Sequence, residues 1–257
     1  MNILVTGGTG TLGRLVVMRL RQSGHRARIL SRNPRGHVDA VQGDLGTGAG
    51  LKKSVAGMEA IVHAASATDH LFTGRSIEVN GTRRLLKAAR DAGVRHIVYV
   101  SIVGIDKSTY PYHKTKLATE AVVRESIVPW TILRATQFHS LMEITLRRLS
   151  FIPGLVTVPL AWQFQPVDAS EVANKVVRVA LGEPAGMLPE FGGPQVRDFK
   201  TIAEEWMTAR KDDRRLANLP MPLKWSRQWT DGALLAPEHK DGKTTFGQYL
   251  AEIYTES

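Results

Sequence analysis

The chain has 257 residues, 43% of them hydrophobic, with no cysteine and a net charge of +10. Such a length allows one large α/β domain or one and a half, and the missing thiols exclude disulfides and thiolate metal sites. No apolar run approaches the ~18 residues of a membrane span. The eight histidines form no HxxxH or HxH pair, so neither membrane insertion nor metal binding is expected. The basic pairs Lys52-Lys53, Arg83-Arg84, Arg147-Arg148, Arg210-Lys211 and Arg214-Arg215 are scattered, without interleaved aromatics. They read as solvated helix faces rather than a nucleic-acid surface, and a basic chain also attracts an anionic cofactor. The opening run is a core strand rather than a basic leader, and a cytoplasmic location is expected.

Residues 1–6 are a short apolar run. Gly7-Gly-Thr-Gly10-Thr-Leu-Gly13 follows directly, and an apolar helical stretch spans residues 15–20. Strand, glycine-rich turn and helix form the context of a dinucleotide site. Glycine lets the chain turn sharply and approach a pyrophosphate, while the helix N-terminus offers N–H groups to the phosphates. Gly7, Thr9, Gly10, Thr11, Leu12 and Gly13 are the candidate cradle.

Strands are expected at 3–6, 27–30, 40–42, 60–65, 97–101 and 131–133, and helices at 11–22, 75–91 and 112–125, with a short crossover at 50–55. This alternation implies a doubly wound parallel sheet, an α/β Rossmann fold with ligands at the carboxyl ends of the strands. The second strand ends Ser31-Arg32-Asn33-Pro34-Arg35, with no carboxylate for a ribose 2′-OH. A guanidinium there suits a 2′-phosphate, with Ser31 adding a hydrogen bond, so NADP(H) is the expected cofactor. Arg14 is either a third charge near that phosphate or a surface helix residue. Asp44 and Leu45 follow the third strand, where Asp44 can accept from the adenine amino group or serve the turn alone. Ala64, Ala65 and Ser66 end the fourth strand beside the expected cofactor ribose.

Beyond residue 150 prolines cluster, with extended segments at 155–158 and 164–167 and helices at 170–181, 201–210 and 225–235. The expected division is a nucleotide-binding domain over 1–150, to which 164–182 returns, and a small substrate-side lobe within 151–257. Trp206, Trp225 and Trp229 suit either an apolar or aromatic ligand or a core.

The chain resembles the short-chain dehydrogenase/reductase superfamily, in its extended and atypical, NmrA-like branch. The resemblance is carried by the Gly7-x-x-Gly10-x-x-Gly13 spacing, Gly43-Asp44-Leu45, His63-Ala64-Ala65, Asn80-Gly81-Thr82, Tyr112 to Glu120, Pro129 to Phe138 and Val167 to Ala173. It implies a Tyr-x-x-x-Lys centre with an upstream Ser. Two registers fit, Tyr110…Lys114 and Tyr112…Lys116. Pro111 favours a helix starting there, hence Tyr112 and Lys116. Residues i and i+4 share a helix face, so the ammonium can serve both phenol and nicotinamide ribose. Ser101, ending the fifth strand, is either the carbonyl-polarising hydroxyl or a strand cap; Val103 stands where extended members often carry the working hydroxyl. Asn80 is either part of this set or structural. Gln137, Phe138 and His139 are expected on the substrate side, with His139 preferred as wall over proton carrier. The implied activity is NADPH-dependent reduction of a carbonyl, quinone or related small molecule. The alternatives are an NADP(H)-binding redox sensor with little turnover and an epimerase or dehydratase. A homodimer is implied by analogy.

Overall fold

The computed structural model describes residues 1–34, 36–66, 74–221 and 226–255. Arg35 and Trp225, both named above, lie outside them. In chain order the first elements are β1 (Asn2–Thr6), α1 (Thr11–Gln22), β2 (Arg26–Ser31), β3 (Ala40–Gln42), α2 (Leu51–Val55), β4 (Ala60–His63) and α3 (Gly74–Asp91). Then come β5 (His96–Ile102), α4 (Pro111–Arg124), β6 (Trp130–Ala135), α5 (His139–Leu149), β7 (Leu155–Val158), β8 (Gln163–Phe164) and α6 (Ala169–Leu181). The last are β9 (Gly186–Met187), β10 (Arg197–Asp198), α7 (Phe199–Ala209), β11 (Arg215–Asn218), α8 (Arg227–Thr230) and α9 (Phe246–Thr255). They fall into two compact units. Unit 1 is Met1–Ser101, Pro111–Arg134 and Ser170–Pro189; unit 2 is Ile102–Tyr110, Ala135–Ala169 and Glu190–Ser257.

Unit 1 carries a parallel sheet ordered β3-β2-β1-β4-β5-β6-β9 and flanked by helices, a Rossmann-like α/β fold. Its strands are continuous apolar runs because both faces are covered. Ile3, Leu4, Val5, Ile61 and Val62 are fully buried. One side of the sheet packs Leu4, Ile61, Ile97 and Ile132 against Leu85, Leu86 and Ala89 of α3 and Val122 and Val123 of α4. The chain builds outward from β1 to β3 and then returns to β4 on the other side of β1. That reversal opens a crevice at the carboxyl ends of β1 and β4.

Unit 2 is organised differently. Among the described residues its sheets are pairs, β11 with β7 in parallel and β10 with β8 antiparallel. Its core joins Met142 and Leu146 of α5, Val156 and Val158 of β7, Phe199, Ile202 and Trp206 of α7, and Phe246 and Leu250 of α9. Trp206 is therefore core, while half-buried Trp229 stacks on Trp162 at 4.7 Å.

Several elements differ from the sequence expectation. The extended run expected at 164–167 is strand only at Gln163–Phe164, because Pro166 has no N–H to give; Val167 instead donates to the Gln137 carbonyl at 2.8 Å. The helix expected at 225–235 is helical, among described residues, only over Arg227–Thr230. Gly232, at φ +68°, turns the chain away. The helix expected at 201–210 starts at Phe199, since Asp198 accepts from the Thr201 N–H at 2.8 Å and caps it. α5, α9, β9, β10 and β11 were not anticipated from the sequence.

Candidate active site

The glycine loop sits in the crevice of unit 1 in a geometry that only glycine tolerates. Gly7 has φ +70°, and a Cβ on it would stand 2.7 Å from the Ala64 carbonyl and the Ala65 nitrogen. A Cβ on Gly13 would stand 2.0 Å from the Gly7 oxygen. The loop therefore folds back on itself and against the end of β4, and α1 starts directly above. No side chain caps α1, and its first turn holds no carboxylate. Its N–H groups and positive dipole end are thus left for an anion. These features fit a dinucleotide pyrophosphate: backbone at close approach, exposed Thr9 and Thr11, and a helix start without a competing acid.

At the end of β2 the Ser31 hydroxyl donates to the Asn33 carbonyl at 2.9 Å and accepts from the Asn33 N–H at 3.2 Å, shaping a local turn. Arg32 is exposed beside it. A groove of about 450 Å³ is lined by Gly8, Thr9, Arg14, Val17, Ile29 and His37 among others, and Arg21 also borders it. Arg21 and His37 are contributors that the sequence reading passed over, because they lie 16 residues apart and only the fold joins them. Asp44 accepts from the Gly46 N–H at 2.8 Å and closes the turn after β3. Leu45 is half-buried, as are Ala64 and Ala65, while Ser66 is exposed.

α4 begins at Pro111, so Tyr112 and Lys116 lie one turn apart inside it, while Tyr110 precedes it and packs edge-on against Trp229. Lys116 is 4% exposed. Its ammonium donates to the Val100 carbonyl at 3.0 Å, lies 3.5 Å from a Glu78 oxygen, and sits 4.3 Å from the Tyr99 ring centre. Burial works against that charge, but the Tyr99 and Glu78 oxygens outweigh it and hold Lys116 above the ordinary lysine range. We take Glu78 as the operative charge, because burial pushes the Tyr99 phenol up and keeps it neutral. Glu78 also accepts from the Tyr99 hydroxyl at 3.3 Å and from the Ser66 hydroxyl at 3.0 Å. Ser66 in turn lies 3.0 Å from the Tyr112 hydroxyl. A continuous polar chain thus runs from Tyr112 through Ser66 and Glu78 to Lys116. Glu78 and Tyr99 carried no sequence signal: Glu78 sits in an ordinary helical run, and Tyr99 in an apolar strand.

Ser101 is 3% exposed at the end of β5. Its buried hydroxyl has no hydrogen-bond partner among the described residues. Burial raises the nearby Glu120 carboxyl, but the Arg134 and Arg124 guanidiniums outweigh it and hold it below the usual range. Glu120 holds Arg134 through two bonds of 2.9 Å. Asn80 accepts from Arg83 at 3.1 Å on α3. The residues expected on the substrate side lie in unit 2. Gln137 donates to the Leu234 carbonyl at 3.2 Å and accepts from the Gln165 N–H at 3.3 Å. His139, 1% exposed, pairs its Nε2 with the Thr244 carbonyl at 3.0 Å between the rings of Phe246 and Tyr249. Burial lowers its pKa, opposed by that bond, so the ring is held toward neutrality. Phe138, half-buried, caps α5 with its backbone.

Comparison with known proteins agrees with a nucleotide-binding fold. Residues 7–148 match the model of an NAD(P)H-binding family. The chain is 32% identical over 249 residues to the (4-alkanoyl-5-oxo-2,5-dihydrofuran-3-yl)methyl phosphate reductase of Streptomyces griseus, covering 91% of this chain and 79% of that one. It is 29% identical over 168 residues to a photosystem II assembly factor of Trieres chinensis, covering 61% of this chain and 53% of the relative. Its fold is that of the NADPH-dependent quinone oxidoreductase QOR2 of Escherichia coli, solved with NADPH, at a TM-score of 0.78 and 18% identity over 98% of this chain and 99% of that one. The chain's fold is also that of a short-chain dehydrogenase/reductase superfamily protein from Agrobacterium tumefaciens, at a TM-score of 0.76 and 21% identity over 99% of this chain and 96% of that one, and the chain belongs to the NAD(P)H-binding family whose model it matches.

Proposed function

We propose that the protein is an NADPH-dependent oxidoreductase acting on a carbonyl, quinone or related small molecule, with Tyr112 as proton donor. The observation that carries this reading is the buried Lys116 ammonium one helical turn from Tyr112. Burying a lysine is costly unless its charge is paired, as Glu78 pairs it here at 3.5 Å, and such a buried charge beside a phenol marks a candidate site. Here the charge stabilises the phenolate left when Tyr112 gives its proton to the acceptor oxygen. When bound, the reduced nicotinamide supplies the hydride. Gly7, Gly10, Gly13 and the start of α1 hold the pyrophosphate, and Ala64 and Ala65 let backbone run beside the ribose. Ser101, buried at the end of β5 with no hydrogen-bond partner for its hydroxyl among the described residues, keeps both readings, the group that polarises the acceptor oxygen or a support of the strand end.

The NADPH preference rests on Arg32, on the absence of a carboxylate at the end of β2, and on Arg14 in the adjoining groove, where Arg21 is also present but lies 3.7 Å from Asp39. Unit 2 is read as the substrate-side lobe. Its Trp162–Trp229 stack suits an apolar or aromatic acceptor. No helix among the described residues is long and apolar enough to cross a membrane, and we place the protein in the cytoplasm, as a homodimer. The likeness to an assembly factor favours a second reading, a nucleotide-binding module with little turnover.

Calorimetry with NADPH and NADH on wild type and Arg32→Ala tests the cofactor. NADPH is expected to bind more tightly, with the preference falling about tenfold or more in the variant, the size of one lost charge-assisted contact. An acceptor screen with Tyr112→Phe then separates the two readings. Turnover that is lost in Tyr112→Phe supports the enzyme; NADPH binding without turnover on any acceptor supports the module.

A further inference from the structure

We propose that Glu78 and Ser66 fix the direction of the Tyr112 hydrogen bond, so that the phenol is held protonated and donating to Ser66 until an acceptor displaces it. The inference rests on Tyr112 being the proton donor and assigns two positioning residues to that site. Its basis is a count of hydrogens. Glu78 is 6% exposed beside the Lys116 ammonium, so it is a carboxylate that can only accept. Ser66 has one hydroxyl hydrogen, and the carboxylate 3.0 Å away takes it. The Ser66–Tyr112 contact of 3.0 Å can then be made only by the Tyr112 hydrogen.

The consequence is a bias against the phenolate. A phenolate needs donors, and Ser66 cannot become one without leaving Glu78. Lys116 pulls the other way, and its pull is blunted because Glu78 neutralises it at 3.5 Å. The site thus holds a ready proton rather than a standing phenolate. Among the described residues, the titratable groups around Tyr112 are Lys116 and His113 on α4, Glu78 on α3, Tyr99 on β5 and His63 on β4. Burial lowers His63 and His113 to about 4, so neither titrates in the alkaline range that the test uses.

Ser66 is exposed, so its replacement leaves the packing intact. In Ser66→Ala, water can take its place and is free to donate to a phenolate. The measurement is the ultraviolet absorbance of the Tyr112 phenolate against pH, with Tyr112→Phe subtracting the other tyrosines. Its midpoint is expected about one pH unit lower in Ser66→Ala than in wild type, the scale of one hydrogen bond. Ser66→Thr, which keeps the hydroxyl, restores it. Glu78→Gln also lowers it, because a carboxamide can donate to Ser66 and free the hydroxyl hydrogen to turn toward Tyr112. An unchanged or raised midpoint in Ser66→Ala overturns the inference; a shift in Ser66→Ala with none in Glu78→Gln removes Glu78 from it. Turnover that survives Tyr112→Phe would instead overturn Tyr112 as proton donor, while the titration still judges the hydrogen-bond direction.

Discussion

The two units hold their backbones in place by different means. In unit 1 the polar backbone is satisfied by a parallel sheet, and side chains are free to pack or to do chemistry. In unit 2 the strands are two to four residues long, so loops must be held by side chains. Gln165 shows this most clearly. It is fully buried, the two hydrogens of its amide nitrogen are shared among the carbonyls of Gly193, Ala236 and His239 at 2.8 to 3.1 Å, and its oxygen accepts from the Ala236 N–H at 2.8 Å. One carboxamide does in unit 2 what a strand ladder does in unit 1. Unit 1 should therefore break where backbone is crowded, and unit 2 where a single polar side chain is removed.

The largest effect is expected at Gly13→Val. With the Gly7 oxygen 2.0 Å from the new Cβ, the loop or the helix start must move. The cost is about 5 kcal/mol, at the exceptional end for one substitution. Chemical denaturation should show that loss, and calorimetry should show no NADPH binding in whatever folded protein remains. A stable Gly13→Val protein that binds NADPH normally would mean that this loop is not the cradle.

Next comes Gln165→Leu in unit 2. It removes the bonds of the Gln165 carboxamide without opening a cavity; the Ala236 carbonyl keeps the His239 N–H at 2.9 Å, while the Gly193 and His239 carbonyls and the Ala236 N–H lose this partner. Three buried groups left without it, at somewhat over ~1 kcal/mol each, give a loss of about 4 kcal/mol. Hydrogen exchange should show the Ala236 amide losing protection first. Equal loss of protection in the strands of unit 1 would erase the contrast drawn between the units.

The same contrast governs what can be read from the sequence. β1 to β6 announce themselves as apolar runs, and the glycine loop by spacing, because sheet burial and close backbone approach leave local marks. Pro111 fixed the start of α4 for a similar local reason. Gln165 left none: its partners lie 28 to 74 residues away and are backbone groups, which carry no residue identity. Glu78 escaped likewise. Its meaning comes from Lys116, Tyr99 and Ser66, which three other segments bring to it. The two-residue strands β8 and β10 are too short for any alternation to register.

The smallest effect tests the polar interior of unit 1. His63 is 1% exposed and held at both nitrogens, Nδ1 at 2.7 Å from the Thr6 hydroxyl and Nε2 at 2.9 Å from that of Thr82. Thr82 spends its hydrogen on the Glu78 carbonyl, so it accepts from Nε2–H, and Thr6 donates to a bare Nδ1. The ring is thus satisfied only when neutral. Burial, aided by the Lys116 charge, lowers its pKa from 6.5 to about 4. Above pH 6.5 both folded and unfolded chains carry it neutral, and it adds no pH dependence. Between 6.5 and about 4 the unfolded chain binds a proton that the folded one refuses, so stability falls with pH, by about 3 kcal/mol in all from this residue. Below about 4 its contribution levels off. His63→Gln keeps a donor and an acceptor but cannot titrate. Its unfolding free energy, measured by denaturant titration from pH 7 to pH 4, should fall less steeply than that of wild type. Parallel curves would show that His63 already binds its proton in the folded state, and that the Thr6–His63–Thr82 chain reverses its donors more readily than its geometry implies.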